Sequence, residues 1–315
     1  MNVTTVSQTN TEPSAADATS RPGRLPDFLI IGAAKCGTTT LFHKLGQHPD
    51  ISMASMKEPE FFSRDERYER GLDWYRSLFA AAEPHQRCGE ASGTYTWHPS
   101  LPDAAGRIAR TLPDVKLIYI MRHPIERAYS HYIQQVTKHV HRDQPISVTF
   151  EQFIEDDPCC LESGNYLYQI EQYLAHFSRD RFLFLFNTDL ASDGGGVLDQ
   201  VCRFVGVGQY PRELLETTRR ENDTRHQVQR RIREKATAPL KRIPGLHRVA
   251  MLLPQSTRNL AYAVIRRTSR GRGIEEGYTP PPMLLQTRRR LAAYYADSVR
   301  DLGQFLQTDL SAWQT

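Results

Sequence analysis

Short apolar runs recur along the chain, and longer segments with apolar residues every three or four positions lie between them. The short runs have the length and composition of buried β-strands. They are DFLIIGA (residues 27–33), CGEAS (88–92), VKLIYIM (115–121) and RFLFLF (181–186). Strands that alternate with helices predict an α/β fold with three layers, in which a mainly parallel central sheet is flanked by helices.

The segments with helical periodicity follow or separate these runs. They are TTTLFHKLGQHPD (38–50), PIERAYSHYIQQVTKH (124–139), FEQFIED (150–156), YLYQIEQYLAHF (166–177), VLDQVCRFVGV (197–207) and TRRRLAAYYADSVRDLGQFL (287–306). Pro124 is expected in the first turn of its helix, where proline is favoured. The last segment has four large side chains on one face: Leu291, Tyr294, Tyr295 and Val299. We therefore expect this helix to pack back against the sheet.

The chain has 315 residues, of which 39% are hydrophobic, and this suffices for one large domain, which we place at residues 26–315. Residues 1–25 are small and polar and predict a disordered tail. They lack the basic and apolar regions of a signal peptide, so we expect a cytoplasmic protein. No apolar run approaches the roughly 18 residues of a membrane span. The five cysteines form no CxxC pair, which argues against zinc and against a disulfide framework.

The formal net charge of +4 favours an anionic ligand in a local pocket over extensive nucleic-acid binding. Much of the basic character lies in residues 217–272, where arginines and lysines outnumber acidic residues. We expect this segment to be a basic arm or lid on the substrate side. Its composition fits a lid, a substrate clamp or an arm that contacts a membrane surface.

The stretch IIGAAKCGTTTLFHKLGQHPD (30–50) combines a strand, a glycine turn and a helix. Such a joint points backbone N–H groups and the positive end of the helix at one spot, where an oxyanion binds. Gly32 and Gly37 permit a tight turn, and Lys35 can place its ammonium beside the bound group. Thr38 and Thr39, which follow, can donate hydroxyl hydrogen bonds. This loop therefore predicts a phosphate-binding site.

The position of the lysine argues against ATP. An ATP-binding P-loop has its lysine directly before the Ser or Thr, whereas Lys35 stands two residues before Gly37, and no strand that ends in a Walker-type aspartate stands out. VKLIYIM is followed instead by Arg122, at the edge where open α/β sheets bind ligands, which predicts a clamp for a second phosphate. Ser130, about two helical turns further on, can present its hydroxyl to the same group. These residues predict a ligand with two separate phosphates and no required metal.

These residues resemble the sulfotransferases that use 3′-phosphoadenosine 5′-phosphosulfate (PAPS), in particular the heparan sulfate sulfotransferase-like branch common in bacteria. PDFLIIGAAKCGTTTL resembles the 5′-phosphosulfate loop of the family, and RHPIERAYSHY resembles its 3′-phosphate segment. Between them, HPDISMASMKEPEFFS looks like the stretch that carries the catalytic glutamate of the family, which is Glu58 here. The resemblance spans residues 26 to about 205 well and 270–313 loosely.

The resemblance implies a P-loop-like domain that transfers a sulfuryl group from PAPS, by in-line displacement and without a metal. The acceptor is a hydroxyl, less often an amine, of a sugar, glycolipid or small molecule. Glu58 would be the general base, Lys35 would neutralise charge on the leaving phosphate oxygen, and Lys57 would balance Glu58 or touch the sulfuryl oxygens. The cofactor-binding residues that it implies are Lys35, Cys36, Gly37, Thr38, Thr39, Thr40, Arg122 and Ser130.

Two departures from the family pattern affect this interpretation. Heparan-type members usually have a lysine after the glutamate of the second strand, where this chain has Ala91. The late 3′-phosphate loop is best matched by SRGRGIEEGY, with Arg270, Gly271 and Arg272 as candidate cofactor-binding residues.

Other assignments stay open from the sequence alone. Alternative bases are Glu60, Glu90 and His98, and the aromatic residues expected around the acceptor are Trp74, Tyr95, Trp97 and Tyr166. The rival functions are an ATP-dependent small-molecule kinase, which predicts magnesium dependence, and a non-catalytic nucleotide-binding protein. The oligomeric state and the acceptor are not indicated by any pattern in the chain.

Overall fold

A computed structural model describes residues 23–141, 146–215 and 279–314, with side chains to residue 138 in the first range. In this part of the chain five strands form one sheet in the order β2-β3-β1-β4-β5. They are β1 (Phe28–Gly32), β2 (Ile51–Met53), β3 (Arg87–Ala91), β4 (Lys116–Met121) and β5 (Phe182–Phe186). Every neighbouring pair is parallel, so the predicted parallel sheet is confirmed.

The helices of the described residues lie between and after these strands. They are α1 (Thr38–Leu45), α2 (Asp65–Tyr68), α3 (Gly71–Ser77), α4 (Ala104–Thr111), α5 (Pro124–His141), α6 (Phe150–Asp156), α7 (Cys159–Glu162), α8 (Tyr166–Leu174), α9 (Asn187–Ser192), α10 (Gly194–Val205) and α11 (Leu285–Leu306). Pro124 opens α5 as predicted. None of these helices is both long and apolar enough to cross a membrane.

The centre of the sheet is fully enclosed, because all five residues of β1 are buried and β4 is buried from Leu117 onward. The close approach of β1 to β3 depends on Gly89. A Cβ atom at this position would lie 2.1 Å from the Phe28 ring, which leaves no room for a side chain. Because β1 and β4 are neighbours, the segments that follow their carboxyl ends lie side by side at one edge of the sheet.

The last helix packs differently from the prediction in two respects. Leu291, Tyr295 and Val299 are buried as expected, but Tyr294 is 48% exposed, so its assignment to the packed face was wrong. The helix lies mainly against α8 and α5, and it reaches the sheet through Phe305, whose ring contacts Phe184 of β5. The exposure of Tyr294 follows from its place beside Tyr295, because neighbours on a helix point about 100° apart.

Three predictions fall wholly or largely outside the described residues. They concern the tail at 1–25, of which the structure describes only the last three residues, the basic arm at 217–272, and the candidate loop Arg270, Gly271 and Arg272. These remain predictions.

Candidate active site

The loop between β1 and α1 turns sharply at two left-handed positions. Lys35 has φ 73° and Gly37 has φ 109°, conformations that favour glycine. A Cβ atom on Gly37 would lie 2.8 Å from the Asn187 side-chain nitrogen. That nitrogen donates a hydrogen bond to the Cys36 carbonyl at 2.7 Å and so anchors the loop to the end of β5. Sequence reasoning missed Asn187, because nothing in its local pattern marks it.

The first turn of α1 leaves a run of backbone N–H groups without acceptors. The first backbone bond of the helix is donated by Leu41 to Gly37. Four N–H groups have no acceptor among the described residues: those of Gly37, Thr38, Thr39 and Thr40. The Cys36 N–H donates to Ala33 at 3.1 Å, so the available amides start at Gly37. Four open N–H groups at a helix N-terminus form a site for an anion.

Cationic side chains converge on this turn. Lys35 is partly buried, and burial lowers its pKa to about 8, with further lowering by the positive charges of Lys57, Arg122 and Arg127. Arg127 is fully buried and was not singled out from the sequence, where it looks like any helical arginine. The predicted Lys35 and Arg122 are thus close enough for their charges to interact, and the loop has a positive potential that favours anionic groups.

Arg122 follows β4 directly and stands beside the loop, because β4 pairs with β1. Its guanidinium lies 3.9 Å from the Glu126 carboxylate, which is also paired with Arg288 of α11. Ser130 lies two turns further along α5 and is partly exposed. The two residues of the predicted 3′-phosphate segment therefore lie on one strand-to-helix segment, Arg122 at its start and Ser130 within α5.

Glu58 is held against the same loop by its neighbours. Its backbone N–H donates to Ala91 at the end of β3, at 3.0 Å, and φ is 55°. One carboxylate oxygen accepts a hydrogen bond from the Gly93 N–H at 2.7 Å, and the other is paired with Lys57. Gly93 packs on Ala34, because a Cβ atom on it would lie 3.1 Å from the Ala34 Cα. The glutamate that the resemblance singles out thus lies next to the Lys35 turn.

The alternative bases have other surroundings. Glu90 is fully buried, and its carboxylate accepts hydrogen bonds from Tyr75 at 2.5 Å and Tyr95 at 3.0 Å. Glu60 is paired with Arg64 at 3.5 Å, and His98 is hydrogen-bonded to the Tyr168 hydroxyl at 2.7 Å. Glu58 differs from them in its contact with Gly93, which packs on the loop after β1.

The aromatic residues expected around the acceptor divide into two pairs. Trp74 and Trp97 are partly exposed, and the Arg70 guanidinium lies 4.2 Å from the centre of the Trp74 ring. Tyr95 and Tyr166 are buried, with 2% and 1% exposure, so the prediction that they lie around the acceptor was wrong. The hydroxyls of both tyrosines form hydrogen bonds inside the protein. These contacts cannot be read from their positions in the sequence.

Comparison with known proteins decides the family. A family model described as a sulfotransferase domain matches residues 25–242. The chain belongs to the sulfotransferase family. This confirms the resemblance and, with the observed sheet, the predicted P-loop-like fold class.

Several sulfotransferases of known sequence or structure are similar to this one. Over 211 residues it is 31% identical to bifunctional heparan sulfate N-deacetylase/N-sulfotransferase 1 of Caenorhabditis briggsae, covering 60% of this chain and 23% of the relative. Over 188 residues it is 34% identical to human heparan sulfate glucosamine 3-O-sulfotransferase 3B1, covering 58% and 47%. The chain thus spans less than half the length of these curated relatives. The crystal structure of a sulfotransferase from Alicyclobacillus acidocaldarius superposes with a TM-score of 0.61 at 25% identity, covering 93% of this chain and 100% of that one.

No group of three or more His, Cys, Asp and Glu side chains able to hold a metal ion occurs in residues 23–141, 146–215 and 279–314. The metal independence inferred from the sequence stays a prediction.

Proposed function

We propose that this sulfotransferase moves a sulfuryl group from PAPS to a hydroxyl, less readily to an amine, of a sugar, glycolipid or small molecule. The observation that carries this proposal is the meeting of three features at one edge of the sheet. They are the open amides of Gly37 to Thr40, the partly buried Lys35 and the Glu58 carboxylate fixed by Gly93. Family membership supports the donor, since the family acts on sulfuryl groups.

The residues present fit this donor. When bound, PAPS supplies the sulfuryl group and a phosphate leaving group. Four N–H groups and the Lys35 ammonium suit the phosphosulfate end, because an anion there would supply acceptors that the described residues do not provide. Arg122 and Ser130, on the neighbouring junction, suit the 3′-phosphate. We assign these two residues to that phosphate.

Glu58 is suited to accept the proton of the attacking hydroxyl. Among the described residues each of its carboxylate oxygens has one partner, and a carboxylate oxygen has room for more than one donor. The acceptor oxygen forms a bond to sulfur as the bond from sulfur to the leaving phosphate oxygen breaks, and the released proton passes to Glu58. Lys35 stands where the leaving oxygen gains negative charge. Base catalysis of this kind contributes roughly 100- to 10,000-fold in rate.

The acceptor class follows from the relatives and from one substitution. The similar proteins named above act, by their names, on heparan sulfate, which supports a saccharide acceptor. Ala91 stands where heparan-type members usually have lysine, and it is fully buried. We therefore propose a hydroxyl on a less acidic sugar, a glycolipid or another small molecule in place of a highly sulfated chain. The cytoplasmic location also remains a proposal.

Calorimetric titration with adenosine 3′,5′-bisphosphate, the nucleotide product of the reaction, tests the donor. We expect micromolar binding that EDTA does not change, with weaker binding of adenosine 5′-monophosphate. A preference for ATP with magnesium would replace this proposal with a kinase. If the protein binds the bisphosphate but transfers no sulfuryl group to any of a panel of sugars, glycolipids and phenols, the non-catalytic nucleotide-binding function would be favoured.

A further inference from the structure

The Tyr166 hydroxyl lies between the two segments assigned to the two phosphates. It donates a hydrogen bond to the Arg122 carbonyl at 2.7 Å and accepts one from the Arg122 N–H at 3.4 Å. The Cys36 sulfur, in the turn before α1, lies 3.6 Å from the same oxygen. One buried phenol thus contacts both the loop after β1 and the junction after β4.

The backbone of Arg122 needs such a partner. The ladder between β4 and β5 ends one residue earlier, at Met121 and Phe186, so the sheet supplies Arg122 with no further strand partner. Buried backbone groups without partners are costly, and the phenol satisfies both the N–H and the carbonyl. Tyr166, at the start of α8 and distant in sequence, therefore fixes the direction in which the Arg122 side chain leaves the sheet.

We propose that Tyr166 is a positioning residue that sets the separation of the two phosphate subsites and thereby the preference for a nucleoside 3′,5′-bisphosphate over a 5′-monophosphate. This inference rests on the proposed function, because it takes the two segments as the 5′- and 3′-phosphate subsites. A ligand with both phosphates must satisfy both segments at once, and small displacements of a binding group cost much of its affinity.

The surroundings of Tyr166 hold the ring in place. Its ring centroid lies 6.0 Å from that of Tyr119 on β4 and 6.0 Å from that of Trp313. Burial raises the pKa of Tyr166 well above its ordinary value and raises that of Cys36 to about 11. Both groups stay protonated at neutral pH, so the bridge carries no charge and its length is set by packing and hydrogen bonds.

The test compares Tyr166→Phe with a matched variant, Tyr210→Phe. Tyr210 is equally buried, and its hydroxyl bonds the Lys44 carbonyl at 2.9 Å, at the opposite end of α1. Calorimetry gives the dissociation constants for adenosine 3′,5′-bisphosphate and for adenosine 5′-monophosphate, and the readout is the ratio of the monophosphate constant to the bisphosphate constant. A purely structural loss lowers thermal stability but leaves this ratio unchanged.

We expect Tyr166→Phe to reduce the ratio by about three- to tenfold, with no change in Tyr210→Phe. In an Arg122→Ala background, which removes the 3′-phosphate contact itself, Tyr166→Phe is expected to change the ratio no further. Cys36→Ala, which keeps the bonds to Arg122, should shift the ratio in the same direction by less, and it serves if Tyr166→Phe does not fold.

The outcomes separate the two proposals. Wild-type protein that binds neither nucleotide would overturn the proposed function. Wild-type preference for the bisphosphate, with the ratio unchanged in Tyr166→Phe or equally changed in Tyr210→Phe, would overturn the positioning role and leave the proposed function intact. If Tyr166→Phe fails to fold, an unchanged ratio in Cys36→Ala would also overturn the positioning role.

Discussion

Two glutamates lie by the carboxyl end of β3 in opposite surroundings. Glu58 has 36% of its side chain exposed, and its partners are the Lys57 ammonium and the Gly93 amide. Glu90 is fully enclosed, and its partners are the hydroxyls of Tyr75 and Tyr95. Burial raises the pKa of Glu90 to about 7, although its hydrogen bonds oppose this rise, and the charge of Glu58 adds to it.

The difference shows how one residue type serves two purposes at neighbouring places in the fold. An accessible carboxylate with spare lone pairs and a nearby cation can exchange protons with a ligand. A sealed carboxylate among phenols orders the chain around it and exchanges no proton with an acceptor. Ser92, two residues beyond Glu90, accepts from the Glu60 N–H at 3.0 Å, so this ordering extends to the segment that carries Glu58.

The largest effect should come from Glu58→Gln. We expect turnover to fall by roughly 100- to 10,000-fold, because the amide keeps its shape but accepts no proton. Affinity for adenosine 3′,5′-bisphosphate should stay close to that of wild type in calorimetric titration. Glu171→Gln, at an exposed position on α8, is the matched control. Near-full turnover in Glu58→Gln would remove the distinction between the two glutamates.

Glu90→Gln should act on stability more than on turnover. The pKa of Glu90 is about 7 in the folded chain against an ordinary 4.5, so its contribution to stability is full below 4.5 and is lost as the pH rises through 7. That loss is about 3 kcal/mol in the free energy of unfolding. Urea unfolding at pH 5 and pH 8 should show it in wild type but not in Glu90→Gln. The same slope in both proteins would contradict the assignment.

Lys35 should make nucleotide affinity depend on pH. Its pKa of about 8, lowered first by burial and then by neighbouring cations, means that the free protein loses this positive charge as the pH rises through 8. Affinity for the bisphosphate should therefore fall above pH 8, by up to about tenfold per pH unit. Lys35→Arg, which keeps its charge, should flatten the profile between pH 7 and 9.5. A sloping profile in Lys35→Arg would assign the titration to another group.

The smallest effect should come from the loss of one hydroxyl that donates a hydrogen bond to Glu90. Tyr75→Phe removes one of the two phenol donors to Glu90 and should cost about 1 kcal/mol in the free energy of unfolding. Because that hydrogen bond lowers the pKa of Glu90, its loss should move the titration of Glu90 to still higher pH. Tyr68→Phe, at a partly exposed tyrosine, is the control and should change neither property.

Much of the fold could be predicted because the strands of a covered parallel sheet are short apolar runs. Four of the strands in the described residues were predicted this way, and β2 was missed because Ile51–Met53 is three residues long and contains a serine. The strand order could not be predicted, since periodicity gives elements but not neighbours. The buried face of α11 was only partly predicted, because Tyr294 and Tyr295 are equally large and only the packing of Tyr295 against Leu161 and Gly164 separates them.

The candidate site, too, could be predicted only in part. The loop from Gly32 to Gly37 is local in sequence, and its glycines and lysine, with the threonines that follow, are enough to indicate an anion site. Glu58 needed the family resemblance, because its contact with Gly93 joins distant segments. Asn187 and the buried hydroxyl of Tyr166 act through contacts across the fold, and no local pattern reveals such contacts.

The position of Trp313 bears on when the nucleotide site can form during synthesis of the chain. Its ring contacts those of His123, Tyr166 and Phe186, which belong to three separate segments around the site. During synthesis the amino-terminal strands emerge and begin to fold first, while contacts between distant positions form late. Nascent chains that stop short of residue 313 should thus hold the nucleotide site in an unfinished state, and binding competence should arise only after this tryptophan has left the ribosome.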